Sequence, residues 1–267
     1  MWAYVRLYPR LIGAQIRSQM QYRISFLAEL MGNLFITGLD FATLVILLTR
    51  FQEIGGWTLA EVAFLYGTST ISFSLAEILS GALDGFDRWV VRGEFDRVLI
   101  RPLGTIFQVM VGGFRLRRFG RLAQGTAAFI LSLTWLHPSW GGVQWAFLVT
   151  ILIGGALFFL AIYLFTATAS FWTPQTAEMG NILTNGGSFM TSYPMHIYDE
   201  WLRAIFTFLI PMAFINYYPA LYLLGKPDPL GLPDWVPFLS PLIAIGVFGL
   251  SLKVWRIGVR HYQSTGS

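Results

Sequence analysis

Residues 143–171, VQWAFLVTILIGGALFFLAIYLFTATASF, decide the fold class. No charged side chain interrupts the run. A helix needs about 20 mostly apolar residues to cross the hydrocarbon of a bilayer, and this one has them with room to spare. The rest of the chain agrees. Of its 267 residues 55% are hydrophobic and only 12% charged, and the mean hydropathy is +0.59. A soluble domain of this length needs about twice that charge to cover its surface. Aromatic residues make up 16%, with 10 Trp and 11 Tyr, the side chains that favour the membrane–water boundary. The reading is an all-α polytopic membrane protein.

Working outward, the apolar runs place spans at 24–49, 60–82, 119–136, 143–171 and 237–255. A fifth span lies somewhere in 174–235, where two layouts fit. Either 176–194 crosses and 195–225 dips into the outer leaflet and returns, or 201–224 crosses. Pro211 and Pro219 break the second candidate, and glycines and polar residues weaken the first. Broken backbone at membrane depth is tolerated only inside protein or beside water. Both layouts give six spans. Residues 1–23 alternate Trp2, Tyr4, Leu7, Tyr8, Leu11 and Ile12 with Arg6, Arg10 and Arg17, a pattern for a helix lying in the interface. The same residues lack the clean apolar core and cleavage site of a secretory signal.

The arginines set the orientation. With residue 1 in the cytoplasm, 15 of the 18 basic residues fall on the inner side. Arg50, Arg203 and Lys226 remain outside. Both termini are then cytoplasmic. A net charge of +4 gathered at one membrane face suits lipid head groups and gives no sign of nucleic acid.

Two spans carry polar stripes. Glu29, Asn33, Thr37 and Asp40 fall on one face of the first, and Gly67, Thr70, Ser74, Glu77 and Gly81 on one face of the second. Such stripes serve as helix or subunit contacts, line a substrate path, or couple protons. All three readings stay open. Between spans two and three lies DGFDRWVVRGEFDRVLIRPL, 84–103. It is too apolar for a loose loop and too charged for a span. Asp84, Asp87, Arg88, Arg92, Glu94, Asp96 and Arg97 alternate with apolar residues including Phe95, and Gly93 divides it. An amphipathic cytoplasmic piece of this kind is expected to dock another protein.

No cysteine is present, and His137, His196 and His261 stand without an acid or nucleophile at a catalytic spacing. That weighs against a lipid-modifying membrane enzyme. An ion-driven secondary transporter ordinarily shows matched broken helices in two repeats, and only one broken region is seen. No catalytic residue and no metal site are expected. Asp199 and Glu200 beside His196 read as helix-start caps.

The basic segment before the first span, RGEFDRVLIRPL (92–103), YPMHIYDEWLRAIFTFLIPMAFINYYPALYLLG (193–225) and RIGVRHYQSTGS (256–267) together resemble the ABC type-2 transporter permease family, in its branch of six-span bacterial export permeases. The likeness implies a permease subunit in the bacterial inner membrane. It implies that Asp84, Asp87, Arg88, Arg92, Gly93, Glu94, Phe95, Asp96 and Arg97 form a coupling helix seated on an ATPase. It makes the stretch from Tyr193 and Pro194 through Trp201 and Arg203 to Pro211 a re-entrant outer element, which favours the first layout. The chain has no Gly-Lys-Ser/Thr phosphate loop, so ATP and Mg would sit on a separate ATPase dimer beside two permease subunits. The implied activity is outward movement of a lipid-like, glycan or other amphipathic substrate.

Overall fold

The computed structural model describes residues 2–21, 23–51, 53–173, 176–228 and 231–263, without the side chains of 2–6, 23, 25, 29, 33, 37, 40, 41, 44, 47–51, 54 and 177. It is an all-α membrane protein. Its long helices are α1 (Trp2–Met20), α2 (Arg23–Phe51), α3 (Leu59–Ser80), α7 (Arg118–Leu136), α8 (Gly142–Ala169) and α13 (Ser240–His261). Shorter ones lie between: α4 (Asp87–Val91), α5 (Glu94–Leu99), α6 (Thr105–Gly112), α9 (Ala177–Asn181), α10 (Gly187–Thr191), α11 (Glu200–Ala204) and α12 (Tyr217–Leu224). The only strands among the described residues are Glu53–Ile54 and Trp57–Thr58, a hairpin in the turn between α2 and α3.

Leu59–Val91, Gly142–Ala169 and Val236–His261 are long and apolar enough to cross a bilayer. Glu200–Leu209 and Met212–Leu224 make a fourth candidate if taken as one span, but they bend by 76° at the break. A straight crossing over 201–224 is therefore not what the chain forms. The last helix runs to His261, further than the apolar pattern to 255 suggests, because its final turns pack against the end of α8. The four polar side chains of the first stripe, Glu29, Asn33, Thr37 and Asp40, lie outside the described residues.

Helix α3 is the centre of the bundle, with α7 on one side and α8 on the other. A side chain at Gly67 would collide with the backbone of Phe129 on α7, and one at Gly125 with Thr70 on α3. Small residues at this crossing let the two backbones approach closely, which is how helices associate where no hydrophobic drive separates them from lipid. The α7-facing side of α3 is thus the polar stripe of the sequence. Thr70 and Ser74 are buried in it, packed within one chain.

The broken region is held by hydrogen bonds. Residues 177–191 form one short helix interrupted by a π-turn at Ile182–Gly186. The buried Asn216 donates to the carbonyls of Leu65 and Thr191, both at 2.8 Å, and accepts from Thr68 Oγ1 at 2.6 Å. Ser69 meets Thr191 Oγ1 at 2.6 Å. Each free polar group at this depth would cost kilocalories, and these find partners on α3 or within the broken region itself. Asn216→Leu leaves two buried carbonyls and one hydroxyl without that partner. It should lower stability by about 2 kcal/mol or more, read as a drop in the unfolding midpoint in detergent, whereas Trp201→Leu on the exposed side of α11 should leave the midpoint nearly unchanged.

Candidate functional site

The segment between α3 and α6 folds back on the bundle in two short helices. Gly93 turns the chain from α4 into α5 with φ 66°, a left-handed conformation that glycine adopts without strain. Gln108 Nε2 seals the end of α5, donating to the carbonyls of Val98 (3.0 Å) and Leu103 (2.8 Å). Phe86, Val90, Phe95 and Val98 face inward and are buried. Phe95 sits in an aromatic cluster, 5.3 Å from Phe86, 5.2 Å from Phe171, 6.1 Å from Trp255 and 5.1 Å from Tyr262. Phe171 follows the end of α8, while Trp255 and Tyr262 belong to the end of α13. Several contacts are edge-on, the favoured arrangement of aromatic quadrupoles. Trp255 Nε1 also donates to Thr105 on α6 at 3.0 Å. Burial, and then the neighbouring Asp96 carboxylate, push the Tyr262 phenol up to about 12.

The nine residues singled out in this segment therefore divide. Arg88, Arg92 and Arg97 are exposed, joined by the apolar Val91, Leu99 and Ile100, the last 83% accessible. Asp87, Glu94 and Asp96 are half-buried, with Glu94 4.0 Å from Arg92. Gly93 is the turn. Phe95 cannot be touched from outside and anchors the segment. Asp84 faces a buried cation.

That cation is Arg118, 2% exposed at the start of α7. The sequence reading counts it among arginines facing lipid head groups. Instead its Nη1 donates to the carbonyls of Glu77 (2.6 Å) and Gly81 (3.2 Å), and its Nη2 to Asp84 Oδ2 (3.1 Å). Its Nε lies 3.6 Å from Glu77 Oε1. One guanidinium thus fastens α7 to the end of α3 and the start of the segment. The available signal was the pairing of an acid at the end of one span with a base opening the next. Gly81, at φ 58°, lies so close to Met110 that a side chain there would overlap its carbonyl.

At the hairpin end of the bundle, His196 links the broken region to the hairpin. One ring nitrogen is 3.0 Å from Tyr217 Oη, and the other 2.7 Å from the Gly55 carbonyl. Lys226, left outside by the arginine count, pairs with Glu61 at 3.0 Å, donates to the Gly56 carbonyl at 2.8 Å and lies over Trp57. Of the predicted outer residues, Pro194 is buried, Tyr193, Arg203 and Pro211 half-buried, and Trp201 exposed. Pro211 stands at the 76° break. The five do not converge on one pocket. Asp199 and Glu200 open α11 in exposed positions.

Comparison with known proteins gives one family. The model of the ABC-2 family transporter protein matches residues 34–266, which is most of the chain. No curated protein and no solved structure matches. The chain belongs to the ABC-2 transporter family and is a membrane permease.

Removing one partner of a buried ion pair strands the other, at a cost of about 3–5 kcal/mol. Asp84 is partly solvated, so Arg118→Met should sit near the lower end, about 3 kcal/mol, measured by denaturant unfolding in detergent. Glu77→Gln should cost less, because Asp84 and the two carbonyls still receive the guanidinium.

Proposed function

We propose that this ABC-2 permease is the membrane-spanning subunit of an exporter, driven by a separate ATPase that docks on residues 84–103. The observation that carries the reading is the two-sided build of that segment. Outward it offers Arg88, Arg92 and Arg97 interleaved with Val91, Leu99 and Ile100. Such a surface is poorly suited to free solvent and well suited to a groove with acidic walls and an apolar floor. Inward, Phe86 and Phe95 are packed against the ends of α8 and α13. A push on the segment would pass to two spans and, through Asp84 and Arg118, to α3 and α7.

In this reading the six spans are α2, α3, α7, α8, the 177–191 helix and α13, with 195–225 re-entrant on the outer side. The arginine distribution supports cytoplasmic termini and an inner-membrane location in a bacterium. Two permease subunits, alike or different, would work with two ATPase subunits that carry ATP and Mg. ATP closes the ATPase dimer, the segment moves, and the spans shift so that a lipid-like, glycan or other amphipathic substrate leaves outward. The exposed Trp201 and Phe208 in the outer region support an amphipathic cargo.

Arg97→Glu with Ile100→Glu tests the docking. Both side chains are exposed, so folding and membrane insertion should be unchanged. ATPase stimulation by the permease should fall at least tenfold, along with co-purification of the ATPase. Wild-type stimulation in the double variant would remove the segment from the interface.

A further inference from the structure

One turn beyond Arg118, α7 carries a second cation, Arg121, that forms no ion pair among the described residues. Glu77 and Asp84 are taken by Arg118. Arg121 has one hydrogen bond among the described residues, from Nη1 to the side-chain oxygen of Asn185 at 3.3 Å. Its guanidinium lies 4.4 Å from the centre of the Phe73 ring, near the middle of α3. A charge at that depth is costly unless something compensates it.

Beside it is a cavity of about 220 Å³ between α3, α7 and the 177–191 helix. The hydroxyl residues Tyr66, Thr70, Ser188 and Ser192 line it, so its walls are polar, with Ser192 Oγ donating to the Ser188 carbonyl at 2.8 Å and Tyr66 Oη accepting from Gln124 at 3.1 Å. Asn185 and Phe189 stand at its exposed edge, Phe189 62% accessible, with Ile182 71% accessible one turn away on the same helix. A polar, positively charged recess at span depth thus opens onto an apolar surface. That combination matches one chemical class, an anion joined to a hydrocarbon tail.

We propose that this pocket binds the anionic head group of an amphiphile, with a phosphate or carboxylate on Arg121 and the tail along Ile182 and Phe189. Planar guanidinium groups take such anions two-pronged, and Nε and Nη2 of Arg121 make no hydrogen bond among the described residues. The site does not depend on export. A resident lipid and a passing substrate would use the same contacts.

The test is thermal unfolding of the full chain with its co-purifying subunits in neutral detergent, titrated with phosphatidylglycerol, phosphatidylcholine or inorganic phosphate. Phosphatidylglycerol should stabilise the wild type and Arg121→Lys. In Arg121→Gln the half-saturating concentration should rise about tenfold, the usual scale for losing one charge-assisted contact. Asn185→Asp, nearly isosteric, gives Arg121 an internal counter-ion and should produce the same loss with the fold intact. It carries the test if Arg121→Gln does not fold. Inorganic phosphate acting as well as the lipid would overturn the amphiphile and leave a free-phosphate site. Equal stabilisation by the two lipids, or an unchanged response in Asn185→Asp, would overturn the anion site itself.

Discussion

Inside a bilayer there is no water to complete a polar group, and this chain has many polar groups at depth. A polar group there is costly unless it finds a partner within the protein. Helix α3 supplies many of these partners, although Ser74 Oγ on the same helix makes no hydrogen bond among the described residues. At its N-terminal end Glu61 closes its own first turn, bonding Thr58 N at 2.7 Å, and pairs with Lys226. At mid-height Leu65, Thr68 and Ser69 satisfy Asn216, Ser188 and Thr191 of the broken region. At its C-terminal end the Glu77 carboxylate and the carbonyls of Glu77 and Gly81 receive Arg118. The irregular backbone between 177 and 224 is affordable because a regular helix beside it supplies the missing partners.

The same division separates what can move from what cannot. The aromatic cluster of Phe86, Phe95, Phe171, Trp255 and Tyr262 is densely packed, and such cores transmit displacement instead of absorbing it. The π-turns at Ile182–Gly186 and Ile205–Leu209 and the break at Ile210–Pro211 are the opposite. At the π-turns the ladder changes register, with Ile210 N donating to the Ile205 carbonyl at 2.8 Å, and at the break the regular ladder stops.

How much of this the sequence tells depends on the range of the interactions. The long helices were readable because span length and apolar content are local properties, and their observed limits differ from the pattern by a turn or two. The segment 84–103 was readable as a folded piece distinct from the spans because its charge and its aromatics are interleaved. Which of its residues point inward was not, since Phe95 is turned in by Phe171 and Tyr262, about 75 and 165 positions away. The second-span stripe gave the right face of α3 without its partner. Glycine at 67 signals close approach, but only the fold shows that the approaching chain is Phe129.

Arg118 and Arg121 make the limit clear. In sequence they are two members of one basic run, and the positive-inside rule treats them alike. Three positions in a helix turn about 300°, so the two side chains leave α7 on neighbouring but distinct bearings. One meets Glu77 and Asp84 and is sealed at 2% exposure. The other passes over Phe73 and reaches Asn185 beside a cavity. The first charge is spent on structure, because both carboxylates within reach are already bound to it. The second is left with a neutral amide and a set of hydroxyls, which orient around a charge without cancelling it. Composition counts charges; only geometry shows which of them form an ion pair among the described residues.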